Sequence, residues 1–89
     1  MSPNNVKLIG TIRYIDMGMG TWALVTDDGK QYELLQPAPS NLLQEGLKIS
    51  VTGTIRDDVM TIAAIGPVLA VQEFQVINSR SEVQPINNI

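Results

Sequence analysis

The sequence predicts an all-β domain: a five-stranded Greek-key barrel with one short helical turn between strands 3 and 4. Three observations predict it. Residues 21–35 form two apolar runs joined at Asp28 and Gly29, a hairpin reversal. Two long segments, residues 6–15 and 47–57, alternate apolar with polar side chains and each carries a glycine in mid-strand, Gly10 and Gly53. Proline, glycine and aspartate punctuate the chain at short intervals, as an all-β domain with tight turns requires.

In residues 6–15, Leu8, Gly10, Ile12 and Tyr14 share one face, and Lys7, Ile9, Thr11 and Arg13 share the other. A strand this long that bends at a glycine can belong to two halves of one sheet, which is how a barrel closes. Asp16, Met17, Gly18, Met19 and Gly20 form a reversing loop. In the hairpin, Trp22 and Leu24 are expected inward on the first arm, because the larger side chains gain more from burial. Tyr32 and Leu34 are expected inward on the second arm, leaving Thr21, Ala23, Val25, Gln31, Glu33 and Leu35 outward.

Pro37 and Pro39 end that hairpin. Residues 40–46 read as one helical turn, capped by Ser40 or Asn41 and ended by Gly46, with Leu42 and Leu43 plugging a barrel end. In residues 47–57, Ile49, Val51, Gly53 and Ile55 face inward, and Asp57 and Asp58 turn the chain. Residues 59–65 read as the fifth strand, with Met60, Ile62 and Ala64 inward. After Gly66 and Pro67, residues 68–77 resume an extended pattern, either a short sixth strand or a continuation. The domain is therefore placed at residues 6–77, between a flexible N-terminus (1–5) and a flexible polar tail (78–89).

Composition narrows the chemistry. Hydrophobic residues make up 44% of the 89, enough for one core, and the net charge of −3 disfavours general nucleic-acid binding. With no cysteine and no histidine there is no disulfide, no thiolate nucleophile and no Ser-His-Asp arrangement. The paired acids Asp27 and Asp28, and Asp57 and Asp58, are turn formers without the spaced oxygens of a calcium loop. We expect no enzyme activity, no cofactor and no bound metal. The N-terminus lacks the pattern of a signal peptide and no apolar run is long enough to span a bilayer, so the expected location is the cytoplasm, with no membrane partner.

Gly20, Thr21, Trp22, Ala23 and Leu24, then Asp28, Gly29, Tyr32, Glu33 and Leu34, then Leu43, Gly46 and Val51 to Thr54 form a local pattern. It resembles a group of small, mostly uncharacterised bacterial OB-fold domains with the signature G-x-[WF]-x-L-x-x-x-D-G-x-x-Y-x-L. The resemblance spans residues 6–72 and implies the OB-fold barrel, but its residues are structural types and transfer no catalytic role.

Oligonucleotide-binding barrels of this kind use the outer face of strands 2 and 3. Here that face carries Glu33 and no aromatic, if Trp22 and Tyr32 are core; facing out, the two rings would make a stacking platform. Four of the six basic residues, Lys7, Arg13, Lys48 and Arg56, lie outward on strands 1 and 4, as an anionic-ligand patch or as plain edge solvation. Met17 and Met19 in the glycine loop are adaptable contact residues. The expected function is a non-catalytic binding module making protein, peptide or self contacts. Single-stranded nucleic acid on the strand 2–3 face is the alternative.

Overall fold

The computed structural model describes residues 5–78. Five strands form one sheet: β1 (Asn5–Ile15), β2 (Thr21–Thr26), β3 (Gln31–Leu34), β4 (Lys48–Ile55) and β5 (Val68–Asn78). They close in the order β1-β2-β3-β5-β4 into a barrel. The β3–β5 pairing is parallel and the other four are antiparallel. Asn5 and Asn78, expected to be flexible, are the first and last strand residues; the remainder of both expected termini lies outside the described residues.

Closure depends on β1 serving two neighbours. Its residues 5–11 pair with β4, while residues 10–15 pair with β2, so the handover falls at Gly10 and Thr11. At Gly10 the β2 backbone comes so close that a Cβ would lie 2.6 Å from the Val25 carbonyl oxygen. Gly53 repeats the device on β4. A Cβ there would lie 2.4 Å from the Ala70 oxygen, where the β4–β5 register shifts between Thr52 and Gly53. Both mid-strand glycines are thus sites of close backbone approach, as expected.

The core is Ile12, Leu24, Leu34, Leu42, Leu47, Ile49, Val51 and Leu69. Each such side chain stabilises the barrel by about 1.5–3 kcal/mol through burial. Trp22 and Tyr32 pack against this cluster but are only half-buried. The indole sits at the rim, edge-on to Tyr14, with ring centroids 5.2 Å apart. It is therefore not enclosed in the barrel interior, although its side of the strand is the expected one.

Two expected elements are corrected. Residues 40–46 form turns, not a helical turn: the Leu42 and Leu43 amides reach back only three residues, to the carbonyls of Pro39 and Ser40. So short a segment cannot offset the cost of a helix nucleus. Its anchoring is tertiary, since Ile12 exchanges bonds with the segment through Gly46 N–H (2.7 Å) and the Leu47 carbonyl (2.8 Å). Leu42 does plug the barrel, fully buried.

Residues 59–65 are not the fifth strand. That role falls to residues 68–78, which line β4 along its whole length, so there is no sixth strand among the described residues. Pro67, which cannot donate to a ladder, precedes the strand and uses its carbonyl instead, accepting from Glu33 N–H at 2.8 Å. With both edges of β4 taken, residues 59–65 have no strand to pair with. Met60 and Ile62, expected inward, stand in solvent, and Ala64 is exposed too.

Candidate functional site

The hairpin tip folds as its residues dictate. Thr26 and Lys30 close the turn backbone to backbone at 2.9 Å, and the Asp28 carboxylate accepts the Thr26 hydroxyl. That hydroxyl and the Lys30 N–H hold the Asp28 pKa below its ordinary value. At the β4 end, Arg56 grips Asp58 through Nε and Nη2 (2.9 and 2.8 Å), lowering the Asp58 pKa and raising that of Arg56.

This fixes the fate of the basic residues. Arg13 and Arg56 lie beyond opposite ends of the β1–β4 ladder. Arg13 is held by Glu45 at 2.7 Å, and the same carboxylate accepts the Tyr14 N–H at 2.6 Å. Lys48 lies 4.0 Å from Asp27. Lys7 shares a shallow groove of about 520 Å³ with Lys30, Asp27 and Asp28. Strands 1 and 4 are neighbours, but Arg13, Lys48 and Arg56 each have a carboxylate within 4.0 Å, and the two arginines stand beyond opposite ends of the ladder. They do not converge on one anion site.

The outer face of β2 and β3 holds the arrangement the sequence did not reveal. Ala23 pairs with Glu33 there, and both are buried, as is Thr21 beside them. The cover is the β4–β5 loop, residues 56–67. Glu33, only 5% exposed, accepts the Thr21 hydroxyl (3.0 Å) on one oxygen and the Thr61 hydroxyl (2.5 Å) on the other. Thr61 Oγ1 in turn accepts the Ala64 N–H at 3.1 Å, in a turn where Ala64 has φ 48°. A Cβ at Gly66 would lie 2.1 Å from the Gln31 oxygen, so the end of the loop presses on β3. These residues point outward as expected, but they are not free surface.

What the loop presents instead is apolar. Met60 is 95% exposed and Ile62 82%. The β1–β2 loop, residues 16–20, meets it: a Cβ at Gly18 would lie 3.3 Å from the Ile62 side chain. That loop carries Met17 (51%) and Met19 (89%). The expected contact residues Met17 and Met19 thus join Met60 and Ile62 on one two-loop surface. Beside it Val59, Met60, Thr61, Ala64 and Gly66 line a groove of about 390 Å³. The two loops also carry Asp16, Asp57 and Asp58 against a single cation, Arg56, which is spent on Asp58. One signal for this surface was legible: the Gly66–Pro67 pair, read as the start of a strand, would have left Met60 and Ile62 in a loop.

Among the described residues no group of three or more acids is placed to hold a metal ion, and no helix is long and apolar enough to cross a membrane. In comparisons with protein-family models, curated proteins and solved structures, nothing matches the chain.

Proposed function

We propose that this chain is a non-catalytic OB-fold module, of the small bacterial type its hairpin signature resembles, acting in the cytoplasm through protein or peptide contacts. The barrel order β1-β2-β3-β5-β4 with its parallel β3–β5 pair supports the fold assignment. One observation carries the function: Met17, Met19, Met60 and Ile62 stand on two touching loops, and Met19, Met60 and Ile62 are far more exposed than the half-exposed Ile9, Tyr14, Val76 and Ile77 of the strands. Clustered apolar exposure of this kind marks a contact surface. Methionine suits such a surface because its flexible thioether adapts to varied shapes. The acidic border selects the partner's chemistry, an amphipathic segment with apolar and basic side chains.

Oligonucleotide binding on strands 2 and 3 is the weaker reading. Glu33 and the loop bonded to it through Thr61 occupy the outer face, and Arg13, Lys48 and Arg56 each lie within 4.0 Å of a carboxylate. Fluorescence titration separates the two, because Trp22 sits at the rim beside the β1–β2 loop. A Leu/Lys amphipathic peptide should bind, a Leu/Glu peptide and oligo-dT should not, and a Met19→Asp/Met60→Asp/Ile62→Asp variant should lose the peptide. Oligo-dT binding at low salt that survives in that variant would reverse the assignment.

A further inference from the structure

Every methionine among the described residues lies on this one surface: Met17, Met19 and Met60. The core cluster contains none, and the chain has no cysteine to compete for oxidants. Resting on the contact-surface reading above, we propose that these three thioethers are a modification site, at which hydrogen peroxide converts the surface from apolar to polar while the barrel stays intact. Each sulfur lone pair attacks one peroxide oxygen. The S–O bond forms as the O–O bond breaks, the proton on the transferred oxygen passes to the departing hydroxide, and water leaves. Sulfur loses two electrons and the peroxide gains them.

Geometry sets the order. Met60 and Met19 stand almost wholly in solvent and react first; Met17, half-shielded, follows. A sulfoxide is a strong acceptor, so covering one with an apolar partner leaves an unpaired polar oxygen. Because the oxidised groups lie outside the packed interior, folding stability does not change with them. Methionine sulfoxide reductase should restore the apolar state.

The test treats the full chain with hydrogen peroxide and maps sulfoxides by peptide mass spectrometry. Hydrophobic-interaction retention, Tm and Leu/Lys peptide affinity are measured before and after, beside a Met17→Leu/Met19→Leu/Met60→Leu variant. Met19 and Met60 should oxidise at a rate close to that of free methionine, as unshielded thioethers do. Retention should fall with Tm unchanged, and peptide affinity should weaken by about tenfold or more because sulfoxide oxygens are buried unpaired. In the leucine variant, whatever its starting values, neither retention nor affinity should change across the treatment. Slow oxidation of Met19 and Met60, a falling Tm, or unchanged retention after full oxidation would overturn the proposal. If neither the untreated chain nor the leucine variant binds peptide, the contact-surface reading fails, and the retention and Tm results still decide the chemistry.

Discussion

Substituting Gly53 by alanine tests the geometry on which the whole barrel rests. The new Cβ would stand 2.4 Å from the Ala70 oxygen, about 0.6 Å inside the 3.0 Å floor that Cβ atoms respect. The obstacle is backbone, not a side chain that can swing aside, and it belongs to the paired strand. Relief requires β5 to retreat at the Gly53–Val71 and Thr54–Ala70 pairs, with Leu69 of the core already 3.1 Å from the same point. Overpacking costs about 1–3 kcal/mol. A stretched ladder bond adds roughly 1 kcal/mol. Removing a glycine returns about 0.4–1 kcal/mol by restricting the unfolded chain. The net loss is about 1–3.6 kcal/mol, which in a domain of this size lowers Tm by roughly 4–29 °C. Thermal unfolding followed by far-UV circular dichroism measures it. Gly10→Ala, at 2.6 Å from the Val25 oxygen, should behave alike. Gly29→Ala is the control: it meets no atom within 4 Å but has φ 87°. It should lose only about 1 kcal/mol through left-handed backbone strain. If Gly53→Ala and Gly10→Ala both melt within about 2 °C of the parent, where these domains shift several degrees per kcal/mol, close approach is not what closes this barrel.

Three further outcomes follow from the same structure. Leu42→Ala should cost about 2–5 kcal/mol in urea unfolding, because the side chain is fully buried despite lying in a turn segment. Glu33→Ala should raise amide hydrogen exchange across residues 57–66 and destabilise by about 1–3 kcal/mol through two orphaned hydroxyls, whereas Glu33→Gln, which can bond both threonines, should lose less. Asp28 has its folded pKa lowered from 3.8, so its stabilising contribution is present above that value and disappears as pH falls through the lower folded pKa. The Tm gap between the parent and Asp28→Ala should therefore close on acidification, and a gap that widens at low pH would contradict the sign.

Local pattern carried the hairpin, both long strands and the two glycine contacts, because alternation and turn chemistry are written in neighbouring residues. The fifth strand was misplaced for the same reason. Residues 59–65 and 68–78 both alternate or run apolar, and only pairing with β4 across the whole chain decides between them. The turn segment around Leu42 shows the converse. Its burial was legible from two leucines, but its backbone follows bonds to Ile12, some thirty residues away in sequence. At the candidate surface, Met17 and Met19 could be singled out from their glycine loop. Met60 and Ile62 could not, once a strand had been assigned to them. Alternation along β3 places Glu33 outward, but its burial depends on a loop that arrives from more than twenty residues later.

That loop ties the fold to the proposed contact surface. If residues 56–67 lay away from the barrel, Thr21, Ala23 and Glu33 would be exposed on β2 and β3, the face that oligonucleotide-binding barrels use. Ile62 would no longer meet the β1–β2 loop at Gly18. The single carboxylate of Glu33, bonded to one hydroxyl from β2 and one from the loop, therefore works on both sides of the choice. It keeps one face closed, and it holds the loop that carries Met60 and Ile62 where Ile62 meets the β1–β2 loop at Gly18. A buried acid held only by hydroxyls is a costly arrangement. Its position makes sense as a device for placing the loop: the same two bonds that bury Glu33 set where the apolar surface stands.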